Sequence, residues 1–509
     1  MKRIENLRAE HLRALAREAL EAFLLERAET DEDFALWLDA RLAAALPNEA
    51  GVPLDPEPFR RRAEALLSTA GSGRGRRRWD DRGADIEEAA LEELIGAAEP
   101  FLAAGRGADA LAILMPVAGA LAEHWPECAD RDETLHEFFP QLDRMIAQAV
   151  LMNGVSRETR DELADELGDW QDEVAEYGAD DVFAVAIAAC MRGWEEPGLE
   201  DVLAGRAQGW PPGGRSDLLE GDLTRARLAA LEGMGRTEAY LNLSRAAGFH
   251  CEHTVKLAQS GRADEAVVIA RAWLSAPSDI LRLAEAVAAA GQMGAALVLA
   301  AWGVSLPEHD DTGDDWRRGV GKTSLARWLR EKAHEVGRRD MMTMAARAAF
   351  EKSLAREDFR AAEKLVDPKD WPELRKTLLA VLMAAPHASE RIEILLEEDM
   401  IDEAVACVDP HEARFSPYDN TLERLAEQAY ADHPDWAIAL AFRMADPVMN
   451  EARSGHYEIA AGWLAIAARA HAVGGRSDEW RAHLEDLIER HRRKHKLRPL
   501  LEALRYAAY

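Results

Sequence analysis

Between residues 266 and 300 the apolar positions fall on two helical stripes. Ala266, Ile269, Ala270, Trp273 and Leu274 share one face, and Ile280, Leu283, Ala284, Val287 and Ala288 share the next. Pro277 and Ser278 stand between them. The pattern predicts two short helices joined so tightly that they pack antiparallel, which is the hairpin unit of an α-solenoid. Near the C-terminus the same spacing recurs at Trp480, Leu484, Leu487, Ile488 and His491, the expected buried stripe of a last long helix.

A local signature punctuates the helices. A Gly or polar equivalent ends one helix, and two to four residues later an acidic residue opens the next. It reads at Gly105-Arg106-Gly107-Ala108-Asp109, Gly235-Arg236-Thr237-Glu238-Ala239, Gly261-Arg262-Ala263-Asp264-Glu265 and Gly475-Arg476-Ser477-Asp478-Glu479, with weaker copies at Glu357-Asp358-Phe359-Arg360-Ala361 and Asp399-Met400-Ile401-Asp402-Glu403. Gly tolerates the left-handed backbone that terminates a helix, and a carboxylate in the next first turn meets the positive end of the helix dipole. Each copy therefore predicts a helix-to-helix corner. The intervals are irregular, as in a degenerate array of TPR/HEAT-like character without one strict repeat class.

Pro- and Gly-rich breaks at residues 47–58, 71–83, 195–221 and 307–315 divide the chain into expected blocks. These are an N-terminal helical pair over 1–46 and helical-repeat blocks over 59–205, 217–306 and 316–509. The expected fold class is all-α, an α-solenoid of stacked antiparallel helix hairpins.

Composition supports that reading. Ala, Leu, Glu and Arg dominate a chain of 509 residues that is 48% hydrophobic and 6% aromatic, and runs of β-branched residues are nearly absent. Four widely separated cysteines, Cys128, Cys190, Cys251 and Cys407, suit reduced thiols in a cytoplasmic protein better than a disulfide framework. The N-terminal stretch alternates charge with Leu and Ala, unlike a secretory signal. The longest apolar runs, 182–191 and 295–304, are about half the roughly 20 residues a spanning helix needs, so no membrane segment is expected. A net charge of −31 opposes general binding to phosphate backbones or anionic lipid. It is compatible with simple solubility or a preference for basic partners.

Candidate chemistry is sparse. Gly319-Val320-Gly321-Lys322-Thr323-Ser324 resembles the end of a phosphate-binding loop, but Trp316 occupies the position of the required first Gly and no apolar strand precedes it. A helix start is expected there. His250, Cys251 and His253 are the densest group of metal-ligand residue types, yet two further ligands would have to come from a distance, and a structural role is expected. His136-Glu137, His334-Glu335 and His411-Glu412 each begin a zinc-protease motif that Pro140, Arg338 and Phe415 then break. The acidic stretch 310–315 lacks the spacing of a calcium loop. No catalytic residue, cofactor or metal site is expected.

Two basic clusters interrupt the acidic background. Arg74, Arg76, Arg77, Arg78 and Arg82 flank Trp79 in a Gly-rich loop, and Arg490, Arg492, Arg493, Lys494, Lys496 and Arg498 are expected to extend the last long helix. Cations there suit the negative end of the helix dipole. These residues are the candidates for contact with a phosphate or an acidic neighbour.

The C-terminal stretch 475–504, with Asp478-Glu479-Trp480-Arg481, then Ile488-Glu489-Arg490-His491-Arg492-Arg493-Lys494 and Pro499-Leu500-Leu501, resembles the end of the helical region in bacterial SWIM zinc-finger proteins. Residues 12–46, with Glu29-Thr30-Asp31-Glu32-Asp33-Phe34 between two helices, are similar to its opening, and the corners over 235–274 fit its middle. That family carries a Cys-x-Cys…Cys-x-His zinc motif ahead of its helices. Here the Cys-x-Cys half is absent and Cys251-x-His253 sits inside a repeat, so zinc binding is not carried over. The resemblance implies a bacterial helical-repeat platform, with nucleic-acid transactions suggested only for the missing finger.

The expectation is a non-catalytic scaffold for protein–protein interaction in a cytoplasmic complex, with dispersed tryptophans such as Trp273, Trp436, Trp463 and Trp480 mostly in the core. The alternative is an accessory subunit that touches nucleic acid through a basic cluster while its acidic body contacts a protein partner.

Overall fold

The computed structural model describes residues 16–31, 34–36, 38, 42, 54–71, 81–128, 135–152, 155–211, 218–307, 316–385, 390–409, 416, 418–450 and 454–506. Among these residues the regular structure is α-helix, with short turns of 3₁₀ helix and no strand. The chain divides into two compact units, Met1–Trp273 and Leu274–Tyr509. The division falls inside the expected 217–306 block. The hairpin read between residues 266 and 300 thus has its first helix in one unit and its second in the other.

The first unit runs α1 (Arg17–Thr30), α2 (Glu57–Gly71), α3 (Asp81–Gly96), α4 (Glu99–Ala103), α5 (Gly107–Cys128), α6 (Phe138–Val150), α7 (Arg157–Ala175), α8 (Ala184–Arg192), α9 (Leu199–Leu203), α10 (Leu218–Gly233), α11 (Thr237–Ala246), α12 (His250–Gln259) and α13 (Ala263–Trp273). The second runs α14 (Pro277–Ala289), α15 (Met293–Ser305), α16 (Trp316–Glu335), α17 (Arg339–Ser353), α18 (Arg356–Leu365), α19 (Trp371–Ala384), α20 (Arg391–Glu397), α21 (Ile401–Ala406), α22 (Asn420–Ala429), α23 (Pro434–Asn450), α24 (Tyr457–Val473), α25 (Ser477–Arg490) and α26 (Leu497–Ala503). Within each unit, helices pack mainly against their neighbour and next-but-one neighbour in sequence, the pattern of a stack of helix hairpins.

The corners show why the chain turns where it does. At Gly261 the backbone enters the left-handed region (φ +79°), and the Arg262 N–H donates to the Leu257 carbonyl at 2.9 Å. That six-to-one bond closes the end of α12. The same bond forms from Arg106 to Phe101, Arg236 to Leu231 and Arg476 to His471, after left-handed Gly105, Gly235 and Gly475. The side chain of the Arg that follows the Gly also contributes. Arg106 pairs with Asp109 at 2.9 Å and Arg262 with Glu265 at 2.8 Å, bridging the corner to the first turn of the next helix. Of the two weaker copies, Asp399 adopts the left-handed conformation itself (φ +59°). At the other, the left-handed residue is Leu354 (φ +51°), so the corner lies earlier than the motif and Glu357 and Asp358 already stand in the first turn of α18.

Core formation follows most of the stripe positions, with Ile269, Ala288 and His491 only half-buried. Ala266, Ala270, Leu274, Ile280, Leu283, Ala284 and Val287 are buried, as are Trp463, Trp480, Leu484, Leu487 and Ile488. Trp273 is 64% exposed and stacks on His250 at 4.5 Å instead of entering the core. It is the last residue of α13, where the stripe runs out. In the first unit Trp125, Phe139 and Phe183 meet edge to face, at 5.2 and 5.7 Å between ring centres.

Three buried charges are held by tertiary bonds. The Asp143 carboxylate of α6 accepts from the N–H of Val185 (3.2 Å) and Ala186 (2.7 Å), capping α8 from a neighbouring helix. Burial pushes its carboxyl up to about 7, against the downward pull of those two bonds. Arg227 of α10 is fully buried. It donates to the Gly193 carbonyl at 3.2 and 3.0 Å and to Glu196 at 2.5 Å, tying the turn after α8 to α10. In the second unit Asp358 accepts from Arg327 (2.7 Å), Arg330 (3.0 Å) and Ser353 (2.7 Å). Burial pushes its carboxyl up, but these bonds outweigh burial and hold it below the usual carboxylate range.

Candidate interaction groove

The first unit carries a cavity of about 470 Å³ between α2, α5 and α7. Two helical stripes build it. On α7 and the residue before its cap, Val155, Thr159, Leu163, Glu166 and Trp170 recur at spacings of four, four, three and four. On α5, Ala108, Leu111, Ala112, Met115, Pro116 and Gly119 line the opposite side. Small residues on α5 leave the trough between the stripes open: Ala108, Ala112 and Gly119 put little side chain between the helices. A β-carbon at Gly119 would stand 2.8 Å from the Trp170 ring. Ser156 fixes the start of α7, its hydroxyl accepting from the Thr159 N–H at 3.1 Å.

Pro116 sits inside α5. It has no N–H to give to the carbonyl of Ala112, one turn earlier, and both residues line the groove.

The rim is charged. Arg60 of α2 donates to Glu64 at 3.1 Å and to Glu123 at 3.3 Å. The hydrogen bond to Glu64 and the charge of Glu123 hold its guanidinium above the ordinary value. Glu166 is exposed on α7, and partial burial pushes its carboxyl up with only partial compensation from Arg60. Glu57, whose outer neighbour in sequence Arg61 stands 3.8 Å away, completes a lining of three carboxylates against one guanidinium.

The residues singled out in the sequence lie elsewhere. Arg74, Arg76, Arg77, Arg78 and Trp79 lie outside the described residues, as does the acidic stretch 310–315. The C-terminal cations do not continue the last long helix: α25 ends at Arg490, and Arg492, Arg493, Lys494 and Lys496 occupy the turn before α26. Several have local partners. Arg490 pairs with Asp486 at 2.7 Å, Arg492 with Glu489, and Arg498 with Glu502 at 2.8 Å. Lys494 donates to the Met449 carbonyl and lies 5.7 Å from the Tyr457 ring centre. Arg493 is exposed.

His253 is buried and its Nδ1 lies 3.1 Å from the Ser244 hydroxyl, while Cys251 is buried beside it in α12. Burial lowers the pKa of both His250 and His253. Among the described residues no group of three or more His, Cys, Asp or Glu side chains is placed to hold a metal ion. Gly319 to Ser324 lie within α16, and the Lys322 ammonium donates to the Leu306 carbonyl at 3.0 Å.

None of the groove residues stands out in sequence. The available signals were the α7 spacing and a proline inside an otherwise helical run.

No family model matches the chain, and no curated protein matches it in sequence. Among solved structures, a circular tandem repeat protein with novel repeat topology and enhanced subunit contact surfaces aligns at 16% identity, over 92% of this chain and 98% of that one, with a TM-score of 0.21. Among the described residues no helix is long and apolar enough to cross a membrane.

Proposed function

We propose that the chain is a non-catalytic helical-repeat scaffold that holds a protein partner in a cytoplasmic complex. The observation that carries this reading is the groove: a cavity between α2, α5 and α7 with an apolar lining and a charged rim. Such surfaces serve recognition, with side-chain anchors in the trough and polar groups at its edge. The wide separation of the four cysteines in sequence supports a reducing compartment. The local pairing of C-terminal cations supports protein binding over phosphate binding as the main role.

The test is affinity capture of the tagged chain from its native host, with and without nuclease, beside an Ala112→Trp variant that fills the trough. A stoichiometric partner that survives nuclease and is lost from Ala112→Trp supports the reading. Recovery only of nuclease-sensitive material overturns it in favour of phosphate contact through the basic clusters.

A further inference from the structure

We infer that the occupant of the groove is a basic amphipathic helical segment of the partner protein, seated with its apolar side chains between α5 and α7 and its Lys or Arg side chains against Glu57, Glu123 and Glu166. This rests on the interaction reading above and specifies the partner's chemistry.

Two features of the site select that occupant. The first is shape. The lining of α5 runs from Ala108 to Glu123, about 22 Å at 1.5 Å per residue, which is the length of a four-turn helix lying alongside. The cavity of about 470 Å³ takes a few side chains and far less than a whole helix. That is what a helix presents when it lays one face into a groove through anchors one turn apart.

The second is charge. Arg60 already serves Glu64 and Glu123, and Arg61 stands 3.8 Å from Glu57, so the three carboxylates that line the groove and Glu64 share two guanidinium groups. Partial burial disfavours the ionised form of Glu166, an otherwise exposed residue. A cation brought alongside would restore it. An acidic segment would meet repulsion at the rim and from a chain of net charge −31.

The experiment uses the full chain and two fluorescein-labelled synthetic peptides of equal length. They share a Leu/Ala face and differ in carrying Lys or Glu on the polar face. Fluorescence anisotropy is read at low and high salt. The Lys peptide is expected to bind and the Glu peptide not to. Glu57→Gln/Glu123→Gln/Glu166→Gln should weaken the Lys peptide roughly tenfold, the sum expected of three half-exposed ion pairs, and flatten its salt dependence. Ala112→Trp should abolish binding. Thr159→Trp, on the exposed wall, is the second block if circular dichroism shows the first to disturb the helices.

Equal binding of both peptides, binding of neither, or binding that survives both blocks would overturn the inference. The scaffold reading fails separately. If neither peptide binds but Ala112→Trp still loses a nuclease-resistant partner, the groove is a protein site and only the basic chemistry is wrong.

Discussion

Replacing Arg227 with Met tests whether the buried ion cluster holds the middle of the first unit together. Arg227 is fully buried and its guanidinium bonds twice to the Gly193 carbonyl and once to Glu196. Burial pulls its pKa down, while Glu196 and Glu220 favour its charge. Methionine fills much of the volume but leaves a buried carbonyl and two largely buried carboxylates without this cation. Breaking such a pair by removing one partner costs about 3–5 kcal/mol. Arg192 remains 2.7 Å from Glu220 and 3.8 Å from Glu196, which places the expected loss near the lower end, about 3 kcal/mol. With two units in the chain, a single unfolding midpoint would blur the effect, so hydrogen exchange read by mass spectrometry over α8 and α10 is the better assay. Exchange there should accelerate by roughly two powers of ten, with peptides of the second unit unchanged. Arg227→Lys keeps the charge but not the fork, and should fall between Met and the native residue. A loss under about 1 kcal/mol for Met, the level of a surface pair, would refute the reasoning.

Other perturbations test other joints. Gly233→Ala puts a β-carbon 2.2 Å from the Leu102 carbonyl oxygen, so urea denaturation should show a loss of about 1–3 kcal/mol, whereas Gly96→Ala, with nothing within 4 Å, should be neutral or slightly stabilising. Asp143 is raised from 3.8 to about 7 in the folded chain, so rising pH ionises it first in the unfolded state and stability falls between about pH 4 and 7. Relative to Asp143→Asn, the wild type should therefore lose up to roughly 4 kcal/mol across that window and nothing more above it, and parallel stability–pH curves would contradict this. Asp358 has the opposite sign. Its folded pKa is depressed, so its contribution is present above the unfolded value of about 4 and is lost as pH falls through the lower folded one, and the difference between wild type and Asp358→Asn in acid denaturation should vanish there.

What the sequence revealed was local. The corners at Gly105, Gly235, Gly261 and Gly475 were legible because a left-handed residue and its six-to-one bond lie within a few adjacent positions. Leu354 carries no such signal, and the neighbouring corner was therefore read too late. The stripe through Trp273 identified a helical face but not where that face stops being covered. Arg227, Asp143 and Asp358 read as surface charges among many, because only packing brings Gly193, Val185 or Arg327 to them. The groove was hidden for the same reason. Ala108, Ala112 and Gly119 are ordinary residues of a helical run, and they become a trough only when α7 lies opposite.

The bonds that close the glycine corners join residues five apart, and within each unit most helices pack on elements near them in sequence. Turns can therefore form without waiting for distant chain, and the order of synthesis becomes an order of assembly. Within each unit, most new helices leaving the ribosome find a docking surface among the helices made shortly before them. A chain of this kind is expected to fold quickly for its length and to tolerate arrest part-way through translation better than a protein whose core joins its two ends.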